Sequence, residues 1–416
     1  MSDTQNHLAR PCRSCGKTGL ELILSLGNTP LANALPTADK LHETEATYPL
    51  DLALCPHCAL VQITETVAPE ELFGDYLYFS SFSDTMLRSA NALVERLVSE
   101  RKLNSESLAA EVASNDGYLL QYYLEKGVPV LGIEPAANIA SVARERGVET
   151  LCEFFGADVA RRLKDENRRA DVIHSNNVLA HVPDLNGFVQ GLRLVLKDEG
   201  IAVIEAPYVK DMIDGVEFDT IYHEHLCYFS LTALDALFRR QDMVIYDVER
   251  IPIHGGSLRV FAAPSQAANA RQGERVRALL REEAAWGVDT MDFYRDFARR
   301  VEELKSSLRA LLVDLKRDGK RVAAYGAAAK GSTLLNYFGI GTDVLDFVVD
   351  RSTYKQGRFM PGVHLPIHGP DALLQEKPDY VLLLAWNFSD EIIEQQKEYR
   401  GGGGRFIVPI PELKVV

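Results

Sequence analysis

From Ser107 to Pro264, short apolar runs alternate with amphipathic stretches. Leu108–Ala113, Val128–Glu134, Asp171–Ser175 and Gly200–Glu205 read as strands. Tyr118–Lys126, Ala136–Arg146 and Asp184–Leu196 read as helices between them. This alternation predicts a parallel sheet with helices on both faces. Met243–Glu249 and Ser257–Ala263 are placed to close its edge. A second α/β unit is predicted from Arg321: strand Val322–Tyr325, a Gly-rich turn, helix Lys330–Phe338, and strands Leu345–Asp350, Tyr380–Ala385 and Phe406–Val408. Gln272–Asp318, long, charged and broken near Gly287, reads as a helical connector. The first seventy or so residues carry few helix patterns and suit short strands, with a linker and a helix, Met86–Leu103, behind them.

The expected fold class is α/β: a small N-terminal module, a central Rossmann-like domain and a C-terminal Rossmann-like domain. The expected boundaries are 1–72, 73–268, 269–318 for the connector and 319–416. Length agrees, since 416 residues suffice for two or three domains with their own cores. The composition is ordinary for a globular chain, but the net charge of −14 argues against a nucleic-acid or membrane-surface binder. No apolar run approaches a membrane span, and Met1-Ser2-Asp3-Thr4 has no signal-peptide pattern. The expected location is the cytoplasm, where thiols stay reduced, and Cys152 and Cys227 read as buried thiols.

Two Cys-x-x-Cys pairs, Cys12/Cys15 and Cys55/Cys58, change the picture of the N-terminal module. Four thiolates at this spacing close a tetrahedral zinc site with no open position, so the zinc is expected to be structural. The 39 residues between the pairs exceed a ribbon spacing and imply an insertion. Redox motifs or idle thiols are the bland alternative, and His57 is a less favoured fourth ligand.

The first strand of the central unit ends in Glu111-Val112-Ala113-Ser114-Asn115-Asp116-Gly117, and the second in Gly132-Ile133-Glu134-Pro135. At the carboxyl edge of a parallel sheet, a tight turn lets backbone approach a nucleotide and a strand-end acid accepts ribose hydroxyls. G-x-G-x-x-G is absent, which disfavours a dinucleotide and suits a cofactor without phosphate, such as S-adenosylmethionine. Asp116 is then placed to receive an ammonium group. A structural turn and an idle strand-end Glu would look the same in isolation.

The motifs in order are the paired cysteines, Tyr76-x-Tyr78-x-Ser80, the Glu111–Leu120 stretch, Ile133-Glu134-Pro135, Tyr222-His223-Glu224-His225, His254-Gly255-Gly256-Ser257 and Tyr325-Gly326-Ala327. Together they resemble the S-adenosylmethionine-dependent sugar C-methyltransferases of deoxysugar biosynthesis, over nearly the whole chain from Cys12 to Pro411. That family acts on nucleotide-linked 4-keto-6-deoxyhexoses, commonly at C-3. The resemblance implies a zinc module, a central methyltransferase domain and a C-terminal domain that helps hold a nucleotide sugar. The expected cofactor residues are Glu111, Ser114, Asn115, Asp116, Gly117, Glu134, Pro135 and Asn176.

Carbon methylation beside a ketone needs a base for the α-proton and donors for the oxyanion. Tyr222, Glu224 and His225 supply such groups; in an extended segment Tyr222 and Glu224 would face one way, His223 and His225 the other. His225 is the first choice of base, Glu224 positions the sugar, Tyr222 donates a proton, and His223 reads as structural. His181, beyond a strand end, is the second candidate base, with Asn177 orienting substrate and Tyr76 covering the pocket from the linker. The spacing in 223–225 is wrong for an H-E-x-x-H metal site. In the C-terminal unit, small residues after Tyr325 and Gly326 expose backbone N–H groups to a diphosphate, and Lys330 adds charge. Asp350, Lys355 and Arg358 either frame that diphosphate or form a solvated loop, and Trp386 is a stacking, docking or core position. A nucleotide-sugar oxidoreductase and a zinc-dependent binding protein are the competing readings; oligomeric state stays open.

Overall fold

The computed structural model describes residues 8–68, 72, 81, 84–252 and 255–416. The candidate Tyr76, with Tyr78, Ser80 and His254, lies outside the described residues.

In the N-terminal module, β1 (Glu21–Pro30), β2 (Thr47–Leu54) and β3 (Val61–Ile63) form an antiparallel sheet. The central unit contributes β4 (Ala109–Val112), β5 (Val130–Ile133), β6 (Thr150–Leu151), β7 (Ala170–Asn176) and β8 (Leu196–Pro207), each paired in parallel with its neighbours. The next strand, β9 (Cys227–Tyr228), leaves this sheet and pairs with β3, giving the first sheet the order β1-β2-β3-β9. Then β10 (Met243–Ile251) and β11 (Ser257–Pro264) add antiparallel strands at the central edge, for the order β10-β11-β8-β7-β4-β5-β6. β4 and β11 are buried at every position, as expected of strands covered on both faces.

The helix expected over 118–126 is shorter, Leu120–Glu125, because the left-handed Gly117 still belongs to the preceding turn. The connector is two helices, Glu274–Trp286 and Met291–Arg317, parted at Gly287. The second buries Tyr294, Phe297, Val301, Leu304, Leu308 and Leu312, a stripe at three- and four-residue spacing. The first carries Glu283, wholly buried, onto the N-terminus of helix Leu231–Arg240. Its carboxylate accepts from the Leu231 and Thr232 amides at 2.7 Å each, from the Thr232 hydroxyl at 2.6 Å and from the Tyr208 hydroxyl at 2.9 Å. A negative group on unsatisfied helix N–H groups is favourable, and here it fastens the connector to the central unit.

The C-terminal sheet has the order β14-β13-β12-β15-β16-β17, from β12 (Val322–Tyr325), β13 (Val348–Val349), β14 (Ile367–His368), β15 (Tyr380–Leu383), β16 (Arg405–Val408) and β17 (Lys414–Val415). All its pairs are parallel except β16 with β17. The strand expected over 345–350 shrinks to two residues. Cys227 is buried as expected, whereas Cys152 is exposed in the loop after β6, where packing has nothing to enclose it with. No helix among the described residues is long and apolar enough to cross a membrane.

Candidate active site and metal centre

The four cysteines meet. Cys12 Sγ lies 3.6 Å from Cys58 Sγ and Cys15 Sγ 3.5 Å from Cys55 Sγ, and all four sulfurs fall within 4.8 Å of one another. A tetrahedral zinc with bonds of about 2.3 Å has sulfur–sulfur edges of about 3.8 Å, so the donor set fits the ion. The two loops also have the same build. Cys12 donates its N–H to Lys17 O and Cys55 donates to Leu60 O, both at 2.8 Å; Gly16 donates to Cys12 O and Ala59 to Cys55 O, both at 2.9 Å. The residue after each second cysteine is left-handed, Gly16 at φ 72° and Ala59 at φ 58°. Ala59 takes that conformation against its Cβ, as a second knuckle of the same shape requires.

At the carboxyl edge of the central sheet, Ala113, Asn115 and Gly117 have φ of 51°, 49° and 79°. Left-handed non-glycine residues cost about 1–3 kcal/mol each and cluster at ligand sites. Glu134, directly after β5, binds this loop: Oε2 accepts from Asn115 N–H at 3.0 Å and Oε1 from Ala136 N–H at 2.9 Å. Burial raises the Glu134 pKa, and the two amides oppose the rise. Pro135 is half-buried beside it, and Asn176 donates to the Tyr118 hydroxyl at 3.1 Å. Glu111 is buried beneath the loop, and desolvation pushes its carboxyl well above the usual range. Asp116 Oδ2 is already met by Arg146 Nη1 at 3.0 Å and by the Ser81 hydroxyl, and Oδ1 has no partner among the described residues. Among the described residues, Glu111 Oε2, Ser114 Oγ, Asp116 Oδ1, Ser175 Oγ and Asn176 Oδ1 are buried without a hydrogen-bond partner. Native proteins leave few such atoms, so this cradle is shaped for a polar ligand, and S-adenosylmethionine fits it.

Glu134→Ala is expected to weaken S-adenosylmethionine binding. Each hydrogen bond to a charged group is worth about 1.5–3 kcal/mol, or roughly tenfold to a hundredfold in affinity. Calorimetry reads this directly, and unchanged affinity would refute the assignment.

The segment 218–226 is a short 3-10 helix, Phe218–Thr220, followed by a turn over 222–224, not an extended strand. His225 N–H donates to Tyr222 O at 2.9 Å, so residues three apart share a face. Tyr222 therefore sides with His225 and not with Glu224, against the alternation expected of an extended run. The Tyr222 hydroxyl lies 2.9 Å from His225 Nε2, with ring centroids 4.1 Å apart. His225 Nδ1 sits 3.0 Å from Thr220 O. A carbonyl only accepts, so Nδ1 carries the hydrogen, and the neutral form of the ring would present its Nε2 lone pair to the phenol.

His181 comes from the short turn Leu179–His181 after β7, and its ring centroid is 4.8 Å from that of His225. Burial pushes its pKa down to about 4, opposed by hydrogen bonds to the Glu224 and Asn177 backbone, so the imidazole is neutral near pH 7. The structure thus brings both candidate bases into one cluster. Asn177, left-handed at φ 57°, holds a buried Oδ1 with no partner among the described residues. Glu224 is buried, its Oε1 accepts from Asn33 Nδ2 at 2.9 Å, and its Oε2 has no such partner. His223 faces the zinc module, with Nε2 3.2 Å from Pro49 O and its ring edge-on to Tyr48. Nothing local in the sequence marked Asn33, which lies in the interval between the cysteine pairs.

The C-terminal turn is built more tightly than expected. Gly326 has φ 104°, and a Cβ there would lie 2.8 Å from Ala385 Cβ, so packing already requires glycine. Asp350 accepts from Ala327 N–H and Ser352 N–H at 2.8 Å each, the same bridge that Glu134 makes in the central unit. Lys355 Nζ donates to Ala327 O at 2.8 Å. The Tyr325 side chain packs with Val349, Leu383 and Ile392 in the unit's own core. Lys330 Nζ lies 4.5 Å over the Trp386 ring, near Glu217 and Asp219, whose raised pKa values of about 8 and about 6 it opposes. Trp386 is buried and donates to Asp219 Oδ2 at 2.6 Å, so it docks the C-terminal unit on the segment that leads into Tyr222. Phe218 on Phe338, stacked at 4.7 Å, reinforces that contact. Arg358 Nη1 reaches Leu35 O at 3.4 Å, in the N-terminal module.

A sheet with a polar cradle at its carboxyl edge, a Tyr222–His225–His181 cluster after its strands and a four-cysteine centre define a zinc-bearing, S-adenosylmethionine-dependent methyltransferase. Three family descriptions match in sequence: a putative zinc binding domain over residues 12–73, a methyltransferase domain over 85–248 and a C-methyltransferase C-terminal domain over 252–411. The C-methyltransferase NovU of Streptomyces niveus is 38% identical over 405 residues, 97% of this chain and 96% of that protein. The chain therefore belongs to the C-methyltransferase family that includes this enzyme. Among solved structures, the magnesium protoporphyrin IX methyltransferase of Synechocystis with bound S-adenosylmethionine is 12% identical at a TM-score of 0.34, over 46% of this chain and 88% of that one. An S-adenosylmethionine-dependent methyltransferase of Clostridium acetobutylicum is 10% identical at 0.33, over 49% of this chain and 96% of that one.

Proposed function

We propose that the chain transfers a methyl group to C-3 of a nucleotide-linked, dTDP-type 4-keto-6-deoxy sugar in the cytoplasm. The observation that carries this reading is the Tyr222–His225 pair in ring contact with His181, beside the cofactor edge and next to the buried Glu224. A ketone at C-4 acidifies the proton on C-3, and a neutral imidazole is a suitable base for it near pH 7. His225 or His181 removes that proton. Once His225 Nε2 carries a proton it donates to the Tyr222 oxygen 2.9 Å away, which frees the single phenol hydrogen for the developing oxyanion. Glu224 Oε2 and Asn177 Oδ1, both buried acceptors, take hydroxyl or amide hydrogens and fix the ring. When bound, S-adenosylmethionine supplies an electrophilic methyl, which the sugar carbon attacks in line. The remaining task is alignment, which is worth many orders of magnitude in effective concentration.

In this reading residues 1–72 scaffold the site, 73–268 hold the methyl donor and 319–416 hold the nucleotide. Small residues at the start of helix Ala329–Phe338 give a diphosphate access to backbone N–H groups, and Lys330 adds positive charge. The test is incubation with S-adenosylmethionine and a panel of 4-keto nucleotide sugars, read by mass and NMR. A carbon-bound methyl next to the ketone is expected. A methyl on oxygen, or no product with any nucleotide sugar, would overturn the reading.

A further inference from the structure

We propose that Asn33, supplied by the zinc module, is a positioning residue for methyl transfer: it holds one oxygen of Glu224 so that the other faces the substrate. This rests on the reading above, in which Glu224 contacts the sugar. Asn33 Nδ2 donates to Glu224 Oε1 at 2.9 Å. Asn33 is exposed and Glu224 buried, so the pair spans the boundary between open space and protein. Oε2 is buried without a hydrogen-bond partner among the described residues, an arrangement that a substrate hydroxyl would satisfy.

The segment carrying Asn33 is pinned on both sides by the C-terminal unit. Ser332 Oγ donates to Ala32 O at 2.7 Å, Arg358 Nη1 to Leu35 O at 3.4 Å and Phe359 N–H to Pro36 O at 3.0 Å. Ser332 lies in the helix that opens at the Gly-rich turn, so the strap runs from the proposed nucleotide end of the substrate to Glu224. An amide N–H₂ can only donate, which favours the ionised carboxylate. Burial pushes the Glu224 pKa up, and the Asn33 hydrogen bond opposes it. Among the described residues, the other titratable groups facing Glu224 are His181, bonded to its backbone, and Tyr228. Neither offers a side-chain charge that replaces Asn33: His181 is neutral near pH 7, and burial raises the Tyr228 phenol.

The experiment compares Asn33→Ala, Asn33→Asp and Glu224→Gln in the full chain, measuring kcat, KM for the nucleotide sugar, S-adenosylmethionine affinity and the pH profile of kcat/KM. Asn33→Ala should lower kcat/KM by about tenfold or more, the scale of one hydrogen bond to a charged group. It should also move the acid limb to higher pH, because without its donor Glu224 takes up a proton more readily. Asn33→Asp should move that limb further, since two facing carboxylates share a proton. S-adenosylmethionine affinity should hold in all three, which controls for folding. If Glu224→Gln changes neither kcat nor KM, the role of Glu224 itself fails. If Glu224→Gln is impaired but Asn33→Ala keeps the wild-type pH profile and kcat/KM, the inference about Asn33 is wrong.

Discussion

His225→Asn should leave both ligands bound and lower turnover by about 10²–10⁴-fold, the usual contribution of a general base. Asparagine is the informative replacement because its amide can still donate to Thr220 O, as His225 Nδ1 does at 3.0 Å, so the turn keeps its shape. The ambiguity between His225 and His181 is sharper in three dimensions than in sequence, because the rings are 4.8 Å apart and either could reach the same proton. Exchange of the substrate's α-proton with deuterated water, measured with S-adenosylhomocysteine in place of the methyl donor, separates them. If His225 is the base, exchange vanishes in His225→Asn and survives in His181→Asn. The opposite pattern transfers the role to His181. Tyr222→Phe supplies the third arm: it removes the hydroxyl 2.9 Å from His225 Nε2 and should slow methyl transfer more than exchange if that hydroxyl serves the oxyanion. Exchange that survives in every variant would sink the three-residue assignment.

The central and C-terminal sheets were legible because apolar runs at strand length, separated by helical periodicity, leave few alternatives to a parallel sheet. The cysteine pairs were legible because thiolate spacing is a local property. What escaped was tertiary. β9 is two residues long, and nothing in Cys227-Tyr228 tells that it joins β3 of another module rather than the sheet it follows. Tyr222 and His225 share a face only because the chain turns there, and a period-two reading of Tyr-His-Glu-His separates them. Lys330 read as a charge for a diphosphate; its ammonium group also sits over Trp386 and near Glu217 and Asp219, two carboxylates more than a hundred positions away in sequence. Gly326 shows the same limit, since close approach by Ala385 explains it as well as a ligand does.

Removing the zinc, by chelation or by Cys55→Ser, should abolish methyl transfer while leaving S-adenosylmethionine affinity little changed. The zinc reads as structural, and the structure ties its module to the Tyr222–His225 turn. The second cysteine knuckle is the connection between β2 and β3, and β3 holds the chain just after the Tyr222–His225 turn: Val61 pairs with Tyr228, Gln62 with Cys227, and Ile63 N–H donates to Leu226 O at 3.0 Å. The first knuckle is tied to the same strand, since Arg13 N–H donates to Gln62 Oε1 at 3.0 Å. Pro49 holds His223 and Asn33 holds Glu224, so much of the run 223–228 leans on the module. A structural zinc contributes about 10–16 kcal/mol of apparent binding energy in small zinc domains. That matches or exceeds the net stability of about 5–15 kcal/mol of a typical domain, so a module of this size should not stay folded without its metal. The polar cradle proposed for the cofactor, in contrast, draws on Glu111, Ser114, Asp116, Glu134, Ser175 and Asn176 of the central unit. Calorimetry with S-adenosylmethionine and a turnover assay on the same metal-free sample give the two readouts, with re-addition of zinc as the control for chelated protein. Persistent turnover without metal would show that the catalytic turn stands alone, and parallel loss of cofactor binding would show that the module supports the central sheet as well.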